Sequence, residues 1–203
     1  MALIRKGSLI TQTAPTDTVA SEVKVPLADG EIIAFSCAIP TAIVGFSDGE
    51  VYLRTDAPAG VLLNYWIFST TQQESSFGLQ AYDEVGGLIF DSSWKLLNIV
   101  GTQVGSGNYS YAPGREYAVI PQSVLVSIRR LLYYQGIHPH VYNIFERWLT
   151  FDAASVSSGS IVVGPATLEI QTWITEGPVG EGWDFFGNNG NTTQYIVVDV
   201  TGF

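Results

Sequence analysis

One cysteine, Cys37, serves a chain of 203 residues. It can close no intrachain disulfide, and alone it builds no thiolate metal site. Charge is scarce as well: 14% of residues are charged, with nine cations against 19 acids, for a formal charge of −10. A surface so poor in positive charge repels phosphate backbones and anionic headgroups, which argues against nucleic-acid binding through basic residues and against an acidic membrane face. The longest apolar run, Val61–Phe68, falls far short of a membrane span, so no membrane insertion is expected. The opening MALIRKGSLI lacks the long apolar stretch of a secretory signal and fits synthesis in a reducing cytoplasm. G-x-S-x-G, H-E-x-x-H, G-x-x-x-x-G-K-[ST] and C-x-x-C are all missing, so neither an enzyme nor a cofactor is expected.

What is abundant points to strands. The chain is 46% hydrophobic, with 21 glycines, ten tyrosines, ten phenylalanines and five tryptophans, a composition that suits short strands joined by turns. We expect an all-β fold, an antiparallel β-sandwich over residues 25–203 with long loops. Residues 1–24, rich in Thr, Ser and Ala, read as an extended arm, poorly ordered alone, that orders against a neighbouring chain. GEIIAFSCAI (Gly30–Ile39) reads as a buried strand, and AIVGFS-DG-EVYLRTD as a hairpin turned by Asp48-Gly49. GVLLNYWIFST (Gly60–Thr70), apolar on both faces, reads as a central strand. Gly78–Asp83 and Leu88–Ser93 pair across Glu84-Val85-Gly86-Gly87, with Gly87 in the left-handed position. LLNIVG is a further strand, and a Gly- and Tyr-rich loop then returns into Tyr117–Ile120. The stretch from Gln122 to Asp152 fits helical spacing (Val124, Ile128, Leu131, Leu132) and strand alternation (Val124, Val126, Ile128); its surroundings favour strands. GSIVVG, ATLEIQTWITE and QYIVVDVTGF complete the strands, with a turn-rich loop, GPVGEGWDFFGNNGN, before the last.

Candidate chemistry is thin. His138 and His140 on an extended backbone point the same way, as two metal ligands would, or stand exposed on a turn. A metal site would need copies meeting on a symmetry axis. Asp48, Glu50, Asp56, Asp83, Glu84 and Asp91 could pair for glycoside hydrolysis, but most occupy turn positions where Asp caps the backbone. Trp173, Trp183, Phe185, Phe186 and Tyr195 gather around the Gly/Asn-rich loop. They serve an interface, core packing or stacking on a sugar. Asn108 and Asn191 head glycosylation sequons, which carry no meaning without a secretory signal.

SFGLQAYDEVGGLIFDSSWKLLNIVG (Ser76–Gly101) resembles a pattern in small structural proteins of tailed bacteriophages. Gly78, Leu79, Tyr82, Asp83, Gly87, Phe90, Asp91 and Ser92 carry it, and YIVVDVTGF (Tyr195–Phe203) looks like the last strand of the same proteins. The resemblance implies a virion tail, tail-tip or tail-fibre component. Such a chain would assemble as a symmetric homo-oligomer, a trimer foremost, with other tail proteins as partners. It supplies no catalytic residues. A glycan-binding sandwich whose aromatic loop touches the host cell surface is the alternative.

Overall fold

The computed structural model describes residues 1–14, 20–70, 78–137, 140–176 and 183–203, with side chains at 133–142, 176 and 183 outside the description. The described residues form strands and turns, with no helix. One sheet runs in the order β1 (Ala2–Ile10), β7 (Leu62–Ser69), β4 (Glu31–Ser36), β12 (Tyr117–Ser123), β17 (Gln194–Asp199), β10 (Ile99–Val104). The other follows the order β11 (Gly107–Ser110), β15 (Ser160–Glu176), β14 (His140–Ser157), β5 (Thr41–Ser47), β6 (Glu50–Thr55), β3 (Ser21–Pro26), β2 (Gln12–Thr13). β13 (Val126–Ile137) adds to β14, and β16 (Trp183–Asn188) adds to β13. A separate hairpin pairs β8 (Gln80–Tyr82) with β9 (Leu88–Asp91). Every pairing is antiparallel, and the two large sheets pack as a β-sandwich.

Side-chain alternation assigns the faces. Phe35, Leu63, Ile67, Val119, Tyr195 and Val197 of the first sheet meet Val25, Leu53, Ala154 and Ile161 of the second in the main core. The alternate residues of the first sheet, Ala34, Trp66, Phe68, Ala118 and Val198, are buried too, under Met1, Leu97 and Phe203. The Phe203 ring stands edge-on to Phe68 with centroids 6.0 Å apart. β7 is therefore apolar on both faces because both faces are covered, as its sequence predicts. The Asp48-Gly49 turn also forms as expected, with φ of 54° and 75°.

The N-terminal segment differs from the detached arm its composition suggests. It is extended, but its partner is its own chain: β1 pairs along β7 from Ala2 to Ile10, and β3 pairs with β6. Leu3 and Leu9 reach opposite clusters, and without β1 the backbone edge of β7 would be open to water. The Gly/Tyr-rich loop also contains a strand, β11, held by β15.

At Asp152 the second sheet changes partners. Ala154 pairs with Thr41 of β5, whereas Phe151 pairs with Val126 of β13. From there β16, β13, β14 and β15 run on as a four-stranded antiparallel blade beyond the sandwich. The 12 residues of β13 span about 40 Å at the usual rise per strand residue. Tyr195 pins the base by donating its hydroxyl to the Asp152 carbonyl at 2.8 Å, and Thr193 donates to the Asp152 carboxylate at 2.7 Å. A register shift between Leu149 and Thr150 bends the hairpin, and Phe151, Ala166 and Leu168 close on Ala20 and Ala42 in a third cluster.

A buried charge chain locks this closure. Arg54 Nε donates to Glu22 at 2.9 Å and its Nη1 to Glu169 at 2.7 Å, while Glu169 also accepts from Arg147 at 2.6 Å. Arg54 is 8% exposed and Glu22 7%. Arg54→Ala would strand two buried carboxylates, and we expect a loss of about 3–5 kcal/mol in urea unfolding. Arg54→Lys should recover only part, since a single ammonium cannot span both acids.

Candidate functional site

The blade is the candidate. Directly opposed residues of antiparallel strands share a face, so the register sorts its side chains. One face carries Trp173, Phe145, Leu132, Arg130 and Phe185; the other carries Ile174, Ile144, Trp148, Arg129 and Phe186. The base of the blade packs on Ala20 and Ala42, and Ile144 is buried, but among the described residues no second sheet covers the blade's outer part. Trp173 is 46% exposed, Ile174 61%, Phe185 53% and Phe186 68%. An antiparallel sheet ordinarily buries one face and wets the other with polar residues; here both carry large apolar groups.

What order the blade has comes from cross-strand contacts. Phe145 and Trp173 stack with centroids 5.5 Å apart and planes 3° from parallel. Arg129 forms a two-point pair with Asp184, at 2.7 and 3.2 Å, and lies over Trp148 at 5.9 Å. Trp148 donates its indole N–H to Glu146 at 3.1 Å.

The five aromatics singled out from the sequence do not form one cluster. Tyr195 is fully buried in the sandwich core, where burial, with the nearby Asp152 carboxylate, pushes its hydroxyl pKa well above the ordinary range; for it, core packing is the right reading. Trp173 lies on β15, and consecutive Phe185 and Phe186 lie on opposite faces of β16. The expected long loop is thus partly a strand. Trp183 stands in register with Leu132, and its side chain lies outside the described residues. His138 and the His140 side chain lie outside them too. Among the described residues no group of three or more His, Cys, Asp or Glu is placed to hold a metal. Among the described residues the outer edge of β16, and that of β15 beyond its pairing with β11, have no partner strand, which could be read only once pairing was known. Their sequence signal was the aromatic pair Phe185-Phe186.

The hairpin of β8 and β9 is a second exposed element. Asp83 accepts from the N–H groups of Val85 and Gly87 at 3.0 and 2.6 Å, and Asp91 from Gln80 Nε2 and the Ser93 N–H at 2.9 and 2.8 Å. Ser92 Oγ accepts from the Leu79 N–H at 2.9 Å and leaves no room for a side chain at Gly78. Gly86, with φ 84°, takes the left-handed position expected of Gly87. At Gly87 a Cβ would instead meet the Asp83 carboxylate at 2.6 Å. The motif residues are thus turn and cap residues, while Leu79, Tyr82 and Phe90 are exposed along with Val85 and Ile89.

Two carboxylates sit below their ordinary pKa. The hydrogen bond from Arg129 lowers Asp184. At Asp199 burial pushes upward, but the Thr201 hydroxyl and N–H and the Arg115 guanidinium outweigh it. No known family model, curated protein or solved structure matches this chain.

A depressed folded pKa stabilises the fold above the ordinary carboxylate range and loses that stabilisation as pH falls through the folded value. The urea midpoint should therefore drop below about pH 4, where carboxylates begin to protonate. Asp199→Asn should lower the midpoint at pH 7 and flatten that acid limb.

Proposed function

We propose that this chain is a structural subunit that assembles with copies of itself through the blade, in the tail of a bacteriophage virion. The observation that carries the assembly reading is the blade's apolar exposure on both faces. Uncovered, that surface carries a standing hydrophobic cost at roughly 25 cal/mol per Å², and its outer edges, without a partner strand among the described residues, invite further strands.

Charge permits a second copy as the cover. The blade strands beyond Asp152 hold three arginines (Arg129, Arg130, Arg147) and four acids (Glu146, Glu169, Glu176, Asp184), so +3 and −4 leave −1 of the chain's −10. Blades that meet are nearly neutral, so little like-charge repulsion opposes a second copy. Closed symmetry, a trimer foremost, lets each blade cover another and leaves no blade exposed. The tail setting and the partner tail proteins rest on the resemblance of Ser76–Gly101, and the exposed hairpin that bears it is a second surface for a neighbour. The reading gives the chain no catalytic chemistry.

Light scattering coupled to size exclusion should return a discrete oligomer, expected to be trimeric, at micromolar concentration. Ile174→Ser combined with Phe186→Ser should weaken association at least tenfold while the monomer keeps its β spectrum. A wild-type chain that stays monomeric at hundreds of micromolar would overturn the assembly reading.

A further inference from the structure

The β14–β15 hairpin has two ends. One is the blade; at the other, the turn after Ser157 borders an open cleft of about 840 Å³, within the range of small-ligand sites. β1 and β7 form one wall, and the connection from Pro113 to Tyr117 forms the opposite one.

The lining is built around Tyr65. Its ring lies against the backbone of Gly7, where a Cβ would come within 2.6–2.9 Å of the phenol. Any side chain at that position of β1 would displace it, so the glycine holds the ring in place. Asn64, also in the lining, accepts from Ser8 Oγ at 2.5 Å through Oδ1, and its amide N–H groups have no protein partner among the described residues. The Tyr65 hydroxyl and the hydroxyls of Ser36, Ser157 and Ser158 have no protein partner among the described residues, and neither does the Glu116 carboxylate. Trp66 and Phe203, packed in the cluster on the other face of β7, also border the cleft.

The ligand class follows from this inventory. The cleft offers an aromatic ring, several hydroxyls, an amide donor and a carboxylate acceptor, a set that matches the apolar ring faces and vicinal hydroxyls of a sugar. Its two cations are already engaged, Arg115 by Asp199 and Lys6 by the Phe203 carbonyl oxygen, and Glu116 would repel an acidic ligand. We propose that the cleft binds a neutral oligosaccharide. Because cleft and blade lie at opposite ends of one hairpin, assembly through blades leaves the clefts free. A trimer would then present three of them, and weak single-site binding would gain avidity on a glycan-covered surface.

The test is an oligosaccharide array followed by calorimetry with neutral trisaccharides of glucose, galactose and N-acetylglucosamine, with sialyllactose as the acidic comparator. Neutral glycans should bind, and Asn64→Ala and Tyr65→Phe should each weaken binding about tenfold or more without changing the oligomer. Trp183→Ala on the blade should leave single-site affinity unchanged. Ile174→Ser with Phe186→Ser should keep single-site affinity and lose array avidity, which separates failure of the assembly reading from failure of the cleft. No neutral glycan bound, a preference for sialyllactose, or binding indifferent to both cleft variants would overturn the proposal.

Discussion

A guanidinium shared between two acids holds the parts of this molecule in their relation. Arg54 lies on a short sandwich strand, Glu22 on the strand beside it, and Glu169 on a strand that reaches them only because the long hairpin bends back. A buried ion is tolerable only when its partners are placed to meet it. Closure of Leu168 over Ala42 and formation of the charge chain are therefore one event. That event gives the blade its direction and settles which of its surfaces remain exposed.

The rest follows as a division of labour along one hairpin. Near the turn, Ala154, Val156, Ile161 and Val163 are core residues, and the strands belong to the sandwich. Past Asp152 the same strands leave the main core: Phe151, Ala166 and Leu168 still close on Ala20 and Ala42, while Trp173, Ile174, Phe185 and Phe186 farther out are exposed. The sandwich supplies stability, and the chain's net negative charge lies mostly outside the blade strands, part of it on the Gly78–Ser92 hairpin. The blade carries exposed apolar surface at almost no net charge, and the hairpin from Gly78 to Ser92 adds a smaller patch. Such an arrangement suits a part whose partners arrive during assembly.

Much of the fold was legible in the chain. Asp48-Gly49, the two-faced apolar run of β7 and the alternation through Val124–Ile128 all announced strands, because turn chemistry and period-2 patterning are local properties. Gly86 rather than Gly87 took the left-handed position because Asp83 caps the turn and its carboxylate occupies the space beside Gly87. The aromatic group was less legible. Tyr195, Phe185 and Phe186 are close in sequence, yet one fills the core and the other two flank an edge strand. Sequence distance carries no information on which sheet a strand joins. The N-terminal segment differs from a detached arm for the same reason: which edge Ala2–Ile10 covers is not visible until the strand order is known.

By itself, then, the sequence determined the class of structure: strands throughout, an acidic surface, turns at Asp-Gly and Gly-Gly, and more apolar surface than one sandwich can hide. Only the tertiary structure decided where that excess lies, that β14 exchanges β5 for β13 at Asp152, and that Tyr65 rests on Gly7 beside a polar cleft. The physical reason is range. Turns and alternation are set by neighbours along the chain, whereas the charge chain joins residues 32 and 115 positions from Arg54, contacts that exist only once both sheets are formed.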